Sequence, residues 1–505
     1  MKGLNACKSP ELEASWQERL CWRSIPLLLW IALLITPLIY NPFGVNQFRL
    51  VKEVFCQIVI ALMLACSLIL MVERWGRKSN KKELRVVDRW GILGRLRAAI
   101  TSACNSLSLG PGVIRRPMLF LLLMGILSTA FSTNRALSLR PFLNLTLFVM
   151  LYFIIINHVS HRHVVKFLTV ILVTGMINGV YCVIQYLGWD PLFILILGDG
   201  KGGRMASSGF IGNPNSVGGY LASVIPLSLS ALLVRRPFWM PFLGFVSLIA
   251  MGAGIGFNQT FTAAASAALS VPVFFIAVFL GIRMVKKRIV IAIAVAVVLL
   301  GIFLATAQPM KARLVLWKSH WSNTNWNVIV SHRPFIWWLT IKMIEDRPLL
   351  GRGLGTFTYW EFPYQASLLP QLSPDSPIYP VIFHIFKTPH NEYLLLGAEA
   401  GIPGMAAAGW LFISIIILGW RSVRQFRQHR RNGNATSKHH APSESEMEVI
   451  QRDYAVMIGF ACTVLVSAVE SLTHFYFHIA PSAFLAVTAL GLWVVILQKN
   501  SREGL

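Results

Sequence analysis

Long stretches without charge recur through this chain, for example IPLLLWIALLITPLIY at 25–40 and FLTVILVTGMINGVYCVIQYLG at 167–188, and no other feature limits its fold so severely. Each approaches the ~20 residues that cross a bilayer as a helix. Hydrocarbon offers peptide groups no hydrogen-bond partner, so a span is either a helix or part of a closed barrel, and barrel strands alternate apolar with polar residues. That alternation is missing here. With 55% of its 505 residues hydrophobic and 13% charged, the chain reads as an all-α, polytopic integral membrane protein. Twelve spans are expected, near 24–41, 54–72, 117–132, 141–157, 166–186, 215–234, 240–257, 262–282, 289–306, 390–420, 454–472 and 480–497. The tenth is long, and a break within it is expected. The leader of the first carries both signs of charge and no small-x-small cleavage site follows it, so this span should stay as an anchor and not be removed as a signal peptide.

The 46 lysines and arginines outnumber 21 acids, for a formal charge of +25. Most of the basic residues fall in 1–23, 73–116, 158–166, 235–236, 283–288, 421–453 and 498–505, which share one side if the spans alternate. The positive-inside rule makes that side cytoplasmic and puts both termini on it. Charge that is mostly juxtamembrane is not a nucleic-acid surface, so the expected neighbours are membrane lipids, with no nucleic acid. The seven cysteines (Cys7, Cys21, Cys56, Cys66, Cys104, Cys182, Cys462) lie in expected cytoplasmic segments or spans. No disulfide framework follows, and no CxxC pair suggests a metal.

The chain thus divides into a cytoplasmic N-terminus (1–23), a nine-span bundle (24–306), a large outer loop (307–389), the C-terminal spans (390–497) and a cytoplasmic tail (498–505). The basic insertion 73–116 has an amphipathic pattern near 84–100 that suits either an anionic leaflet or a solvated loop. The polar, Pro/Ser-containing segment 428–449 should be disordered. Outside, 187–214 and 307–389 are the long connections. The second is rich in Trp, Phe and Tyr, which argues for order and places any chemistry on this face.

Within it, SHRPFIWWLTIKMIEDRPLLGRGLGTF (331–357) predicts a helix over 334–346: Pro334 suits a first turn and Pro348 a stop. Arg333 precedes this helix and Arg352 follows it. Too short to span and too apolar for water, the helix should lie on the membrane surface. Gly351, Gly353 and Gly355 permit either a close backbone approach or a plain turn, and with no strand before them a dinucleotide fold is excluded. In HNEYLLLGAEAGIPGM (390–405), His390, Asn391 and Glu392 stand where loop meets span, and Glu399 follows; carboxylates there are functional suspects. In GRMASSGFIGNPNSVGGYL (202–220), Asn213 and Asn215 suit the cap of the sixth span, whereas Arg204, with no acidic neighbour in sequence, suits an anion.

The order R-x(3)-W…P-L-L-G-x-G-L-G-T-F, then H-N-x(9)-G-x-x-G, resembles the O-antigen ligase and polymerase superfamily of bacterial inner-membrane proteins, most clearly over about 330–420. Arg204 and the NPN turn after it also look like a family segment. The resemblance implies a GT-C-like helical bundle of about 12 transmembrane helices with one large extracytoplasmic loop. It implies an undecaprenyl-pyrophosphate-linked glycan donor, and as acceptor a hydroxyl of lipid A core, of another glycan or, less favoured, of a protein. Such chemistry needs charge stabilisation on a leaving phosphate, for which Arg204, Arg333 and Arg352 are the outer-face candidates. It also needs a base, for which His390 is placed; a helix-capping histidine is the competing reading. His390 and Arg333 are therefore the expected catalytic pair, with Arg204, Arg352, Asn391 and Glu392 binding substrate and displacement inverting the anomeric carbon. One element departs from the pattern. Ligases of this family commonly carry an arginine where FNQTFTAAAS (257–266) has none.

His474 and His478 have i,i+4 spacing but no acidic or Cys partner nearby, and read as interface histidines. With no D-x-D on the outer face, transfer without metal or other cofactor is expected. Trp317, Trp321, Trp326, Trp337, Trp338, Tyr359 and Trp360 suit either sugar stacking or an interfacial belt. The rival reading, a solute or bicarbonate-type transporter on the same helical frame, would need ionisable groups near the bilayer midplane, and only Glu470 is buried by position. An inactive export-complex scaffold is a third reading.

Overall fold

The computed structural model describes residues 15–43, 46–82, 108–192, 202–281, 333–371, 385–436 and 444–502, with isolated positions between 294 and 315. Among these residues all regular structure is helical. Thirteen α-helices follow one another: α1 (Trp16–Ile35), α2 (Arg49–Lys82), α3 (Gly112–Ala130), α4 (Arg135–His158), α5 (Val164–Tyr186), α6 (Pro214–Leu232), α7 (Met240–Asn258), α8 (Phe261–Gly281), α9 (Arg333–Asp346), α10 (Phe357–Leu368), α11 (Glu392–Thr436), α12 (Glu444–Glu470) and α13 (Ala480–Arg502). Eleven of the twelve expected spans coincide with a helix, while the ninth, 289–306, lies outside the described residues but for isolated positions, and 84–100, Trp317, Trp321 and Trp326 lie outside them entirely. Among the described residues, nine helices are long and apolar enough to cross a membrane. The protein is a polytopic, all-helical membrane protein.

Burial sorts the helices into centre and rim. The most apolar stretches of α12 and α13 are 83% and 94% buried, against 33% in α2, α3, α4, α8 and α11. The central pair is walled by α4, α6 and α8, and the α13 residue Trp493 donates to Ser422 Oγ of α11 at 3.2 Å. Lipid supplies no hydrophobic force between helices, so close backbone packing has to supply the contact. Gly179 of α5 meets α7 this way: a Cβ there would stand 2.5 Å from the Ala250 carbonyl oxygen. In the deeply buried α6, Ser223 satisfies itself on the Gly219 carbonyl (2.9 Å) and Ser228 shares a bond with Ser247 of α7 (2.9 Å).

A smaller apolar core joins α9, α10 and the first turns of α11 through Ile336, Leu339, Met343, Phe357, Leu395 and Ala398. The apolar face of α9 is therefore covered by the protein's own helices, which removes the reason for placing it on the membrane surface; Trp338 and Ile341 stay exposed. The expected break in the tenth span is at Gly401, whose φ of 75° and ψ of 178° interrupt α11. The two ends of segment 428–449 depart from expectation, since α11 runs to Thr436 and α12 starts at Glu444, while 437–443 lie outside the described residues. Arg and Gln, frequent after Arg421, are good helix formers that let a span continue past the bilayer. Cys21, Cys56, Cys66, Cys182 and Cys462 are free thiols; Cys7 and Cys104 lie outside the described residues.

Candidate functional site

The site lies at the end of the bundle where α2, α4, α6, α8, α11 and α13 begin. Two sequence motifs interlock there. In the GRGLG turn, the Arg352 N–H donates to the Ala398 carbonyl (3.0 Å) and the Gly353 N–H to that of Glu399 (2.9 Å), while the Ile402 N–H donates back to the Pro348 carbonyl (2.7 Å). This laces the turn onto the break in α11. Gly353, at φ 112°, lies so close to Ser132 that a Cβ would fall 2.0 Å from its Oγ. Of the two readings of these glycines, close approach is the one realised. The Glu399 carboxylate accepts the Phe357 N–H (3.2 Å) and so sits at the N-terminus of α10, where the helix dipole favours an anion.

Arg333 and His390 are brought together by the tryptophan of R-x(3)-W. Trp337 Nε1 donates to the Pro389 carbonyl at 2.8 Å, one residue before His390, and Phe335 packs edge-on against Phe386 (6.2 Å). One turn of α9 is thereby pinned to the loop that carries the histidine. His390 has a left-handed backbone, φ 53°, uncommon for a residue with a side chain. Its ring stacks on His474 at 6.2 Å and tilts against Phe475 at 5.2 Å. Burial, with the Arg333 guanidinium adding to it, pulls the His390 pKa down to about 4. The same burial, with His390, Arg333 and Arg49 nearby, takes His474 down to about 3. Both imidazoles are neutral near pH 7, each with one accepting nitrogen.

His474 Nε2 bonds Ser216 Oγ in the first turn of α6 (3.1 Å). Beside it, Asn213 caps α6 by accepting the Asn215 and Ser216 N–H groups (2.9 and 3.2 Å), while Asn215 does not cap but accepts from Arg204 Nη2 (2.9 Å). Arg204 is thus held at the same helix end as the histidine pair. Arg333 makes no hydrogen bond or ion pair among the described residues, and burial lowers its pKa while Glu470 opposes that. Glu470 is buried and takes a hydrogen bond from Ser266. Its Oε2 and the Nδ1 atoms of His390 and His474 are buried without a hydrogen-bond partner among the described residues. Buried polar atoms are costly until something pairs with them, so a polar substrate gains most by binding here.

The other expected site residues are each held by contacts within the protein. Asn391 Oδ1 caps α11 on the Leu394 N–H (3.0 Å). Glu392 accepts from the Phe477 N–H (2.8 Å) and pairs with His478 Nδ1 (2.9 Å). Burial opposes charge on His478, but Glu392 outweighs it and the pKa is raised. The Arg352 guanidinium lies 4.1 Å over the Trp360 ring, bonded to Tyr364 and to Asp346 (3.3 Å). It braces α9 against α10. His474 and His478, for all their spacing, serve different partners, because a turn and a short 3-10 helix (Tyr476–His478), not an α-helix, join them.

Arg49 escaped the sequence reading. At the start of α2, it donates from Nη2 to the His478 carbonyl (3.1 Å) and lies 6.0 Å from the Phe475 ring centre. Its one sequence signal is a basic residue on the cation-poor side of the bundle. The turn at 257–266 supplies no cation: Asn258 and Thr260 both donate to the Pro214 carbonyl (3.3 and 3.2 Å) and fix the start of α6.

Residues 248–409, from α7 into the first half of α11, match the family model described as O-antigen ligase. The matched stretch holds Arg333, Arg352, His390, Asn391 and Glu392. No curated protein matches the chain.

Proposed function

We propose that this chain, a member of the O-antigen ligase superfamily, moves a glycan from an undecaprenyl-pyrophosphate carrier to an acceptor hydroxyl on lipid A core or on another repeat unit, at the outer face of the bacterial inner membrane. The observation that carries this reading is the pairing of a guanidinium, Arg333, with a neutral imidazole, His390, neither the guanidinium nor the imidazole Nδ1 having a hydrogen-bond partner among the described residues. The acceptor hydroxyl gives its proton to His390 as its oxygen bonds to the anomeric carbon. The bond from that carbon to the phosphate oxygen breaks, and the electron pair leaves with the diphosphate. Attack opposite the leaving group inverts the carbon. Arg333 meets the charge that grows on the diphosphate, with Arg204 and Arg49 as further cations at this end, and no metal is required. Arg49 stands in for the arginine missing from 257–266. Asn391 and Glu392 hold the His390 loop, and Arg352 holds α9. Glu470 sits at the end of α12 beside Arg333, which favours the transfer reading over a transporter with a midplane site.

The deciding experiment uses detergent-purified protein, a defined undecaprenyl-pyrophosphate oligosaccharide and EDTA in the buffer. General base catalysis contributes ~10²–10⁴-fold. His390→Gln keeps a hydrogen-bonding group but takes up no proton, so it should accumulate normally, bind donor and transfer glycan at least about 100-fold more slowly. Near-normal transfer would remove His390 as the base, and loss of wild-type transfer in EDTA would remove metal independence.

A further inference from the structure

The geometry points to a second lipid site, for an anionic phospholipid, in the groove between α3 and α11 at the end of the bundle opposite His390. This groove of about 350 Å³ is lined by Gly112, Val113, Arg116, Trp410 and Arg421. The two helices run antiparallel, locked at the other end by Ser128 Oγ donating to the Glu399 carbonyl at 2.7 Å. They part at this end, where a Cβ on Gly112 would meet nothing within 4 Å.

The groove has the polarity of a lipid. Arg116 and Arg421 form its mouth, both exposed and with no hydrogen bond or ion pair among the described residues. From Arg421 back to Trp410 is roughly 16 Å along α11, at 1.5 Å per residue. The exposed Ile413 and Ile417 lie on the helix face between them. At the inner end Phe120 and Trp410 approach to 6.3 Å. A soluble anion would use the mouth and leave the apolar length in contact with nothing. A zwitterionic lipid would bring its own cation against two guanidiniums. A phosphodiester of net negative charge, with its acyl chain running toward Trp410, satisfies both ends, and two planar forks suit its oxygens better than point charges would.

Native mass spectrometry of the purified full-length protein tests this with dioleoyl phosphatidylglycerol, dioleoyl phosphatidylcholine and inorganic phosphate. The wild type should retain phosphatidylglycerol about tenfold or more better than phosphatidylcholine, and phosphate far more weakly than either. Arg116→Gln with Arg421→Gln should abolish the preference. Gly112→Phe keeps both charges and enters open space, so it should leave the protein folded, with phosphatidylglycerol displaced. Arg162→Gln, a surface charge at the same end but outside the groove, should change nothing. Equal retention of the two lipids, an effect of Arg162→Gln as large as that of the double variant, or full retention in Gly112→Phe would overturn the site. Phosphate binding as tight as phosphatidylglycerol would make it a soluble-anion site instead.

Discussion

His390 carries two costs, a left-handed backbone and a buried imidazole, and both have consequences that can be measured. Because its pKa is depressed toward about 4, the unfolded chain binds the more protons below the ordinary 6.5, so folding stability should fall as pH drops from 6.5 toward 4. Activity follows the same sign. At limiting donor the rate reports the free enzyme, and its acid limb should lie well below 6.5. At saturating donor the diphosphate offsets Arg333, which is part of what holds the pKa down, and the limb should move up. Rate against pH at both donor levels checks this, and one inflection near 6.5 in both would sink it. Arg333 allows a sharper test of contact. If its fork binds diphosphate through two parallel hydrogen bonds, Arg333→Lys should lose nearly as much transfer as Arg333→Ala, by at least tenfold, because an ammonium cannot reproduce the pair. Full activity of the lysine variant would reduce Arg333 to a general positive charge. These two residues were legible in the sequence because their motifs are local. Arg49 and His474 were not, since each is fixed in the site by a contact far away in sequence, Arg49 on the His478 carbonyl and His474 on Ser216.

The break in α11 connects the motifs to one another. Gly401 sits at φ 75° and ψ 178°, a region essentially restricted to glycine, with a Cβ position 2.4 Å from the Leu349 carbonyl oxygen. Gly401→Ala should therefore cost about 1–3 kcal/mol by the usual range for such strain, seen as a lower unfolding temperature in detergent, and should slow transfer by disturbing the Glu399 and His390 turns. Gly409, eight residues on in regular helix, has nothing within 4 Å of a Cβ. Gly409→Ala should be neutral or slightly stabilising. Equal behaviour of the two variants would mean that the break is not held by the GRGLG turn. Helix α9 shows the limit of reading an element alone: its apolar residues fit a membrane surface equally well until α10 and α11 cover them.

For the bundle as a whole, sidedness underlies every assignment above. Asn325→Cys and Ser437→Cys, each the single cysteine in an otherwise Cys-free chain, should differ: the first labelled from outside intact cells by a membrane-impermeant maleimide, the second protected. Equal labelling would overturn the orientation and with it the outer-face site. Within the bundle, central placement of α12 and α13 agrees with the chemistry, since the loop between them carries His474 and His478 and is held from several sides by Ser216, Glu392 and Arg49. A site spread over so many helix ends needs its middle pair immobilised.

The membrane-spanning, helical character and the Arg333–His390 motif could both be read in the chain, because a bilayer leaves a helix little alternative and because the motif lies within about 60 residues. Partner choice could not. Arg204, Arg333 and Arg352 are alike as letters, yet one is tied to Asn215, one lies beside two neutral histidines with no hydrogen bond or ion pair among the described residues, and one is clamped on Trp360. Likewise Glu392 and Glu470 look equivalent until one pairs with His478 and the other lies beside Arg333. The physical reason is that a charged group's role depends on which donors, acceptors and charges surround it within a few ångströms. In a bundle those neighbours come from helix ends that share a face of the membrane and little proximity in sequence.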